Sequence, residues 1–457
     1  MSDVQLEAGL KVRHLTMMGL GSAIGAGLFV GSGNSIAAAG PGVLISYALA
    51  GIVVVVVMSL LGEMASAQPS SGAFSTYAER GVGRWAGFAI GWTYWFMLIM
   101  VLGVEILAAT EIIAHWTGLP QGLLAVLVIA LFAVINLFGV KQFGELEFWF
   151  AAIKILAIIS FLVIGVLLVL GIVHGPSSAG VSQLVEGEGG FFPRGASGVA
   201  AGLLAVMFAF GGIEIITIAA AESTNPHESI RRSTISIMWR ILFFYVGSVL
   251  VMLMVLPWND PAIKEGAFVA VLDSAHIPGA SVVMQVVIVI ALLSAFNAQI
   301  YATSRMAFSL SERGDGSRLL LKVSRRGVPH VAVTCSVIFA LVAVGANALD
   351  AQGRIMGTLL DAVGATLLII WVFIAISQIR LRPVFEREGS LRMRTWGHPW
   401  LAIFALVAIA AFAALMLFDE TGRRNLIFAC AIFAGIVAVF WVRVWLARRG
   451  SKAAQLP

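Results

Sequence analysis

Gly21-Ser-Ala-Ile-Gly-Ala-Gly-Leu-Phe29 places three glycines in the middle of the first long apolar stretch, residues 14–38. That stretch is long enough to cross a bilayer, which takes about 20 residues of helix. A helix interrupted there leaves N–H and C=O groups unpaired at membrane depth. Each such group costs roughly 2–7 kcal/mol without a partner. An interruption therefore persists only where protein buries it or where it lines a polar cavity. It marks a candidate binding site.

The rest of the chain supplies the membrane setting. Of 457 residues, 60% are hydrophobic and 12% are charged, the composition of an integral membrane protein. Apolar runs at 14–38, 42–67, 85–114, 121–140, 147–173, 197–221, 234–257, 281–310, 331–349, 355–379, 399–418 and 424–447 predict twelve transmembrane helices. The polar start, Met1 to Arg13, runs into a full-length span without a small-residue cleavage site, so it is expected to stay attached. Lys and Arg crowd the loops on the side of both termini, whereas the alternate loops hold only Arg194, Lys264, Arg354, Arg423 and Arg424. By the positive-inside rule both termini are expected in the cytoplasm, with the protein in the cell membrane. The net charge of +5 then reflects cytoplasmic anchors such as Arg380, Arg382, Arg392 and Arg394, and gives no reason to expect a nucleic-acid partner.

Reactive chemistry has no foothold. Cys335 and Cys430 fall inside apolar spans, where cysteine acts as a small packing residue. The seven histidines lie at span ends or in loops, and none pairs with a carboxylate at helical spacing. No metal, cofactor or catalytic residue is expected. A channel would need polar stripes along its spans, and none is present.

A second glycine break, Phe208-Ala-Phe-Gly-Gly-Ile-Glu214, sits in the sixth span. Interrupted helices opening two successive sets of five spans predict an inverted repeat, residues 14–173 and 197–379, joined by a loop at 174–196. The cytoplasmic loop 380–398, two further helices in 399–447 and a tail at 448–457 complete the expected organisation. Such a site suits a zwitterion. N–H groups opening the outer half-helix near Ala26 to Phe29 attract a carboxylate, and carbonyls freed around Phe208 to Phe210 attract an ammonium. Packing is the alternative, because Gly21 and Gly25, like Gly27 and Gly31, also have small-residue helix spacing.

Several runs together are specific. Besides the two breaks they are Ala39-Gly-Pro-Gly42, Gly62-Glu-Met64, Ser71-Gly-Ala-Phe-Ser-Thr-Tyr-Ala78, Gly83-Arg-Trp-Ala-Gly87, Ala219-Ala-Ala-Glu-Ser223 with Asn225-Pro226, Tyr301-Ala-Thr-Ser-Arg305 and Trp396 to Trp400. On these the chain resembles the amino acid transporter family of the amino acid, polyamine and organocation superfamily. Ile216 to Ser223, Trp239 to Tyr245 and Ser377 to Arg382 look most like 4-aminobutyrate permeases, although relatives for proline and aromatic amino acids share much of them. The resemblance implies an all-α fold of the sodium-coupled leucine transporter type and amino acid uptake driven by protons. Exchange of amino acids is the alternative, as is a proline or aromatic substrate.

Within that frame the expected substrate contacts are Ser22, Ala23, Ile24, Gly25, Ala26, Gly27, Phe208, Phe210, Gly211, Ile213 and Asn297, with Phe210 as an aromatic lid. Lys154 is a lone cation about two turns into the fifth span, where a charge is costly. The resemblance casts it as the stand-in for sodium, bonded to carbonyls of the broken first helix and carrying the coupled proton. A permanently charged strut is the alternative. Glu105 is expected to border the substrate or proton route, Glu214 to orient or gate the break, and Asp361 to act as a gate or a buried hydrogen-bonding group. Glu63, Glu145 and Glu147 are read as structural, near cytoplasmic ends. Residues 222–233 are read as a short interfacial helix, and 259–279 as a cover over the external vestibule.

Overall fold

The computed structural model describes residues 10–350, 354–418 and 420–453; the side chains at 204, 231–233, 235–237, 354–358, 360, 361 and 449–453 lie outside that description. The described chain is helical. The first apolar stretch folds as α1 (Val12–Ala23), α2 (Ala26–Phe29) and α3 (Gly31–Ala39). There follow α4 (Val43–Ala67), α5 (Ala73–Gly81), α6 (Arg84–Thr117), α7 (Gln121–Leu137) and α8 (Val140–Val169). The sixth apolar stretch is split into α9 (Gly195–Ala209) and α10 (Ile215–Ala220). The remainder comprises α11 (Pro226–Val255), α12 (Pro261–Ser274), α13 (Ala280–Glu312), α14 (His330–Leu349), α15 (Arg354–Arg387), α16 (Trp400–Phe418) and α17 (Glu420–Ala453).

Among the described residues, nine helical stretches are long and apolar enough to cross a membrane. Helices suit that medium because they pair their own backbone. Local signals set their ends. The α6 helix stops at Gly118 in the left-handed conformation (φ 68°), where glycine carries no Cβ penalty. The Asp260 side chain accepts from the Ala262 N–H and caps α12.

Burial sorts the helices into layers. In α6 and in Ala362–Arg387 the most apolar window is 78% buried, whereas in α17 it is 17%. The α6 and α15 helices are therefore central and α17 peripheral, with Leu127, Val342, Val407 and Trp441 among the apolar side chains left facing outward. Inside, α3 packs on α9, α4 on α11, α6 on α13 and α7 on α14; α1 packs on α8, and α9 on α15.

Two readings need correction. The fifth span does not start at 147: α8 begins at Val140, so Glu145 and Glu147 belong to its first two turns. The charged run 141–147 had lowered the hydropathy and hidden the helix start. Residues 222–233 do not make a separate interfacial helix, because α11 runs unbroken from Pro226; proline at the first helical turn starts a helix without losing a bond. Segment 259–279 contains α12, which kinks at Gly266 (φ 173°, ψ 80°).

Candidate functional site

The chain leaves α1 at Ile24 (φ −83°, ψ 90°) and Gly25 (φ −144°, ψ −142°) and resumes helix at Ala26. It leaves α9 after Ala209 and resumes at Ile215, passing Gly212 at φ 95°. The two breaks lie against each other. The Ser22 hydroxyl donates to the Gly212 carbonyl at 3.0 Å. A Cβ on Gly27 would stand 2.5 Å from the Ala209 Cα, and one on Gly212 would stand 2.7 Å from the Ser22 carbonyl oxygen. Backbone meets backbone here, a closeness that only glycine permits.

A small central cavity of about 10 Å³ lies where the breaks meet. Ser22, Ala23, Gly27, Phe208 and Gly211 line it, as the sequence reading expects of them, together with Glu105. Gly212, Met97, Val101, Gln299 and Val363 line it as well. The space suffices for about one water. A larger guest enters only when these walls part.

Glu105 holds the first break. The Ala26 N–H, which opens the second half of the first span, lies 3.1 Å from each Glu105 carboxylate oxygen. The carboxylate thus sits where the sequence reading puts that of a substrate. On the first half, the buried Lys154 ammonium donates to the Gly21 carbonyl at 2.5 Å. Glu147 is also fully buried and accepts from Ser294 at 2.5 Å. A Cβ on Gly21 would come within 2.9 Å of its Oε1, so Glu147 and Lys154 flank the same turn of α1. Glu105, Glu147 and Lys154 are all buried around α1 and α2.

Other expected site residues lie elsewhere. Asn297 does not line the cavity; its Oδ1 accepts from Asn136 at 2.8 Å and its Nδ2 faces Glu147 at 3.5 Å, so it braces α13 against α7 and α8. Phe210 is no lid. It turns away and stacks on Tyr245, with centroids 5.2 Å apart and planes 16° from parallel, because the rotation of α9 points Phe208 inward instead. Ile24, Gly25, Ala26 and Ile213 shape the breaks without lining the cavity. Glu214 is buried behind the second break, its Oε1 without a hydrogen-bond partner among the described residues. The Asp361 side chain lies outside the described residues.

Three residues escaped the sequence reading. Glu147 was assigned to a wet helix end. Gln299 is 3% exposed with Oε1 unpartnered, two positions beyond Asn297 on the same polar stretch of α13. Tyr245 brings its hydroxyl to 2.7 Å from the Ala23 carbonyl oxygen and 2.8 Å from that of Ala209. A tyrosine in an apolar span carries little signal, since its ring reads as core.

The sequence profile of the amino acid permease family matches residues 14–456. The chain belongs to that family. It is a transporter of the amino acid permease family and not an enzyme. The aromatic amino acid transport protein AroP of Corynebacterium glutamicum is 48% identical over 99% of this chain and 98% of its own. The gamma-aminobutyric acid permeases of Bacillus subtilis and Escherichia coli are 39% and 40% identical over 100% and 95% of this chain, and over 97% and 93% of their own.

The two faces of the permease differ. On the face bearing its N-terminal segment, Leu10 exchanges backbone bonds with Glu222 and Thr224. Beside it the Arg305 guanidinium donates to Glu222 at 2.9 Å, both side chains 2% exposed, and lies over the Tyr301 ring. That face is sealed. On the opposite face a cavity of about 600 Å³ is lined by Phe29, Ala108, Glu111 and His115 with Lys264 and Asp273 of α12. Ala108 lies one helical turn beyond Glu105, so this vestibule leads towards the site.

Proposed function

We infer that this permease takes up an aromatic amino acid together with protons by alternating access between the two faces. The observation that carries this reading is the first break, held by Lys154 on one side and Glu105 on the other. Two carboxylates and one ammonium in a dry cluster leave one negative charge unbalanced. Such a charge is expensive away from water, and a proton neutralises it. Loading or losing that proton changes how firmly Lys154 holds α1, which ties the gradient to the movement of the inner half-helix. Ser22, Ala23, Gly27, Phe208 and Gly211 are the backbone and side-chain contacts of the substrate in this account, with Gln299 added; Glu105 and Glu147 form the proton route. Glu214 braces the second break.

The architecture is a twelve-span bundle with a 5+5 inverted repeat. Among the described residues nine stretches are long and apolar enough to span, with α3 and α4 counted as one. The first and sixth spans fall short through their breaks, and α7 has 17 residues. Spans one and six, two and seven, three and eight, and four and nine pack as pairs, as expected of two interlocked copies related by a pseudo-two-fold axis. Both termini face the cytoplasm, so the sealed face is the inner one and the vestibule opens outward.

For the substrate, the sequence reading favoured 4-aminobutyrate. The higher identity to AroP supports the aromatic alternative instead. So does the lining: Met97, Val101, Phe208 and Val363 give the cavity apolar walls, which reward an apolar side chain at about 25 cal/mol per Å² removed from water. 4-Aminobutyrate has no side chain to bury. Uptake of labelled phenylalanine into proteoliposomes, with tryptophan, tyrosine, proline and 4-aminobutyrate as competitors, tests the assignment. Competition by tryptophan and tyrosine at concentrations where 4-aminobutyrate has no effect is the expected result; dominance of 4-aminobutyrate would return the substrate to the first reading.

A further inference from the structure

The ammonium side of the site contains a residue that the transport reading does not use. Tyr245 sits on α11, completely buried, its ring stacked on Phe210 and tilted against Tyr47, with centroids 6.3 Å apart. Its hydroxyl meets two carbonyls that belong to different broken helices: Ala23, the last residue of α1, at 2.7 Å and Ala209, the last residue of α9, at 2.8 Å. A phenol has one proton to donate. Two acceptors converge on that proton; Ala23 also accepts from the Gly25 N–H at 3.1 Å, so it is the Ala209 carbonyl that is left short of a donor whenever the hydroxyl turns to Ala23.

We propose that Tyr245 is a positioning residue that holds the Ala23 and Ala209 carbonyls at the separation an incoming ammonium needs. It does not line the central cavity, whereas Ala23 does and Gly27 and Phe208 flank Ala209. It therefore acts from behind the carbonyls, through the backbone. An ammonium has three protons and satisfies the acceptor that the hydroxyl leaves wanting. The hydroxyl is also the neutral counterpart of Lys154. Both grip the end of α1, Lys154 at Gly21 and Tyr245 at Ala23, but only the lysine is charged and pairs with the carboxylates that take up the proton. The tyrosine tie is thus assigned to substrate recognition and the lysine tie to coupling. This inference rests on the transport reading and deepens it.

The test compares an amino acid with the same molecule lacking its ammonium. Binding of phenylalanine and of 3-phenylpropionate to the purified full chain is measured for wild type, Tyr245→Phe and Tyr47→Phe. Tyr245→Phe keeps the ring and its stacking on Phe210. It is expected to weaken phenylalanine binding about 10-fold, the size of one hydrogen bond lost at a buried charged group, to leave 3-phenylpropionate nearly unchanged, and to leave the pH profile of uptake unmoved. Tyr47→Phe is expected to change neither ligand. Equal weakening of both ligands, or of neither, overturns the proposal, as does a shifted pH profile.

If wild type ignores phenylalanine, the aromatic assignment fails while the tyrosine test continues with whichever amino acid binds and its desamino analogue. If Tyr245→Phe does not fold, the wild-type protein is labelled with carbon-13 at tyrosine Cζ; the chain has 5 tyrosines, assigned by Tyr→Phe replacement at the other positions. The Tyr245 resonance should then move on adding the amino acid and stay in place with the desamino analogue. A resonance that responds to both, or to neither, overturns the proposal.

Discussion

The two breaks meet across one site, yet glycine serves them differently. In the first, a Cβ on Gly25 would meet side chains, Glu105 Oε1 at 2.5 Å and the Ala295 Cβ at 2.8 Å. In the second, Gly212 has φ 95° and its Cβ would meet the Ser22 carbonyl. The second break is fixed by backbone conformation and backbone contact. The first is held by ionisable side chains, Glu105 on the second half of the span and Lys154 on the first. Side chains yield where backbone does not. In the proposed cycle the bend at Ile24 and Gly25 is therefore the moving part and the second break the frame against which it moves.

Substitutions that treat the breaks alike should therefore give unlike results. Gly212→Ala should have the largest effect. A residue with a Cβ in that conformation carries about 1–3 kcal/mol of strain, and the clash with Ser22 adds to it. Uptake should fall beyond detection, with a lower melting temperature in a thermal assay. Lys154→Ala comes next: concentrative uptake should vanish, while amino acid binding, measured by ligand-induced thermal stabilisation, remains. Unchanged accumulation in that variant would remove the lysine from coupling.

Gly25→Ala should be milder than Gly212→Ala, about 10-fold in uptake for a displacement costing about 1.4 kcal/mol. Combining it with Glu105→Asp, which draws the carboxylate back by one methylene, should recover part of the loss. Equal damage from the two glycine variants would erase the distinction between a moving break and a fixed one. The smallest effect is expected for Glu147→Gln, which keeps an acceptor for Ser294 but removes one charge beside Lys154. Uptake without a gradient should stay near wild type, and its stimulation by a gradient should weaken.

Much of this was legible in the sequence, because the membrane simplifies the reading. Long apolar runs gave the helices, and glycine clusters gave both breaks within a few residues. Lys154 stood out because a lone charge in an apolar helix is hard to explain otherwise. The misses share a cause. Glu147 lies in a charged run that resembles a wet helix end, and only the packing of α1 and α13 on α8 shows that it is buried. Phe208 and Phe210 are two residues apart, about 200° round a helix, so which of them faces the cavity depends on the rotation of α9, which composition does not encode. Asn297 was one of several polar residues on α13; its neighbour Gln299, two positions on, faces the site instead. Tyr245 acts through its hydroxyl alone, and a hydroxyl acquires meaning only once two distant carbonyls have been folded onto it.

The central claim is that the proton and the amino acid move through the same event at the first break. Proteoliposomes loaded with a pH-sensitive dye and held without an imposed gradient test it directly. Adding phenylalanine outside should acidify the interior with wild-type protein and not with Lys154→Ala. Entry of labelled phenylalanine with no acidification in the wild type would contradict the account, leaving Lys154 as a strut and the permease as an exchanger or a facilitator.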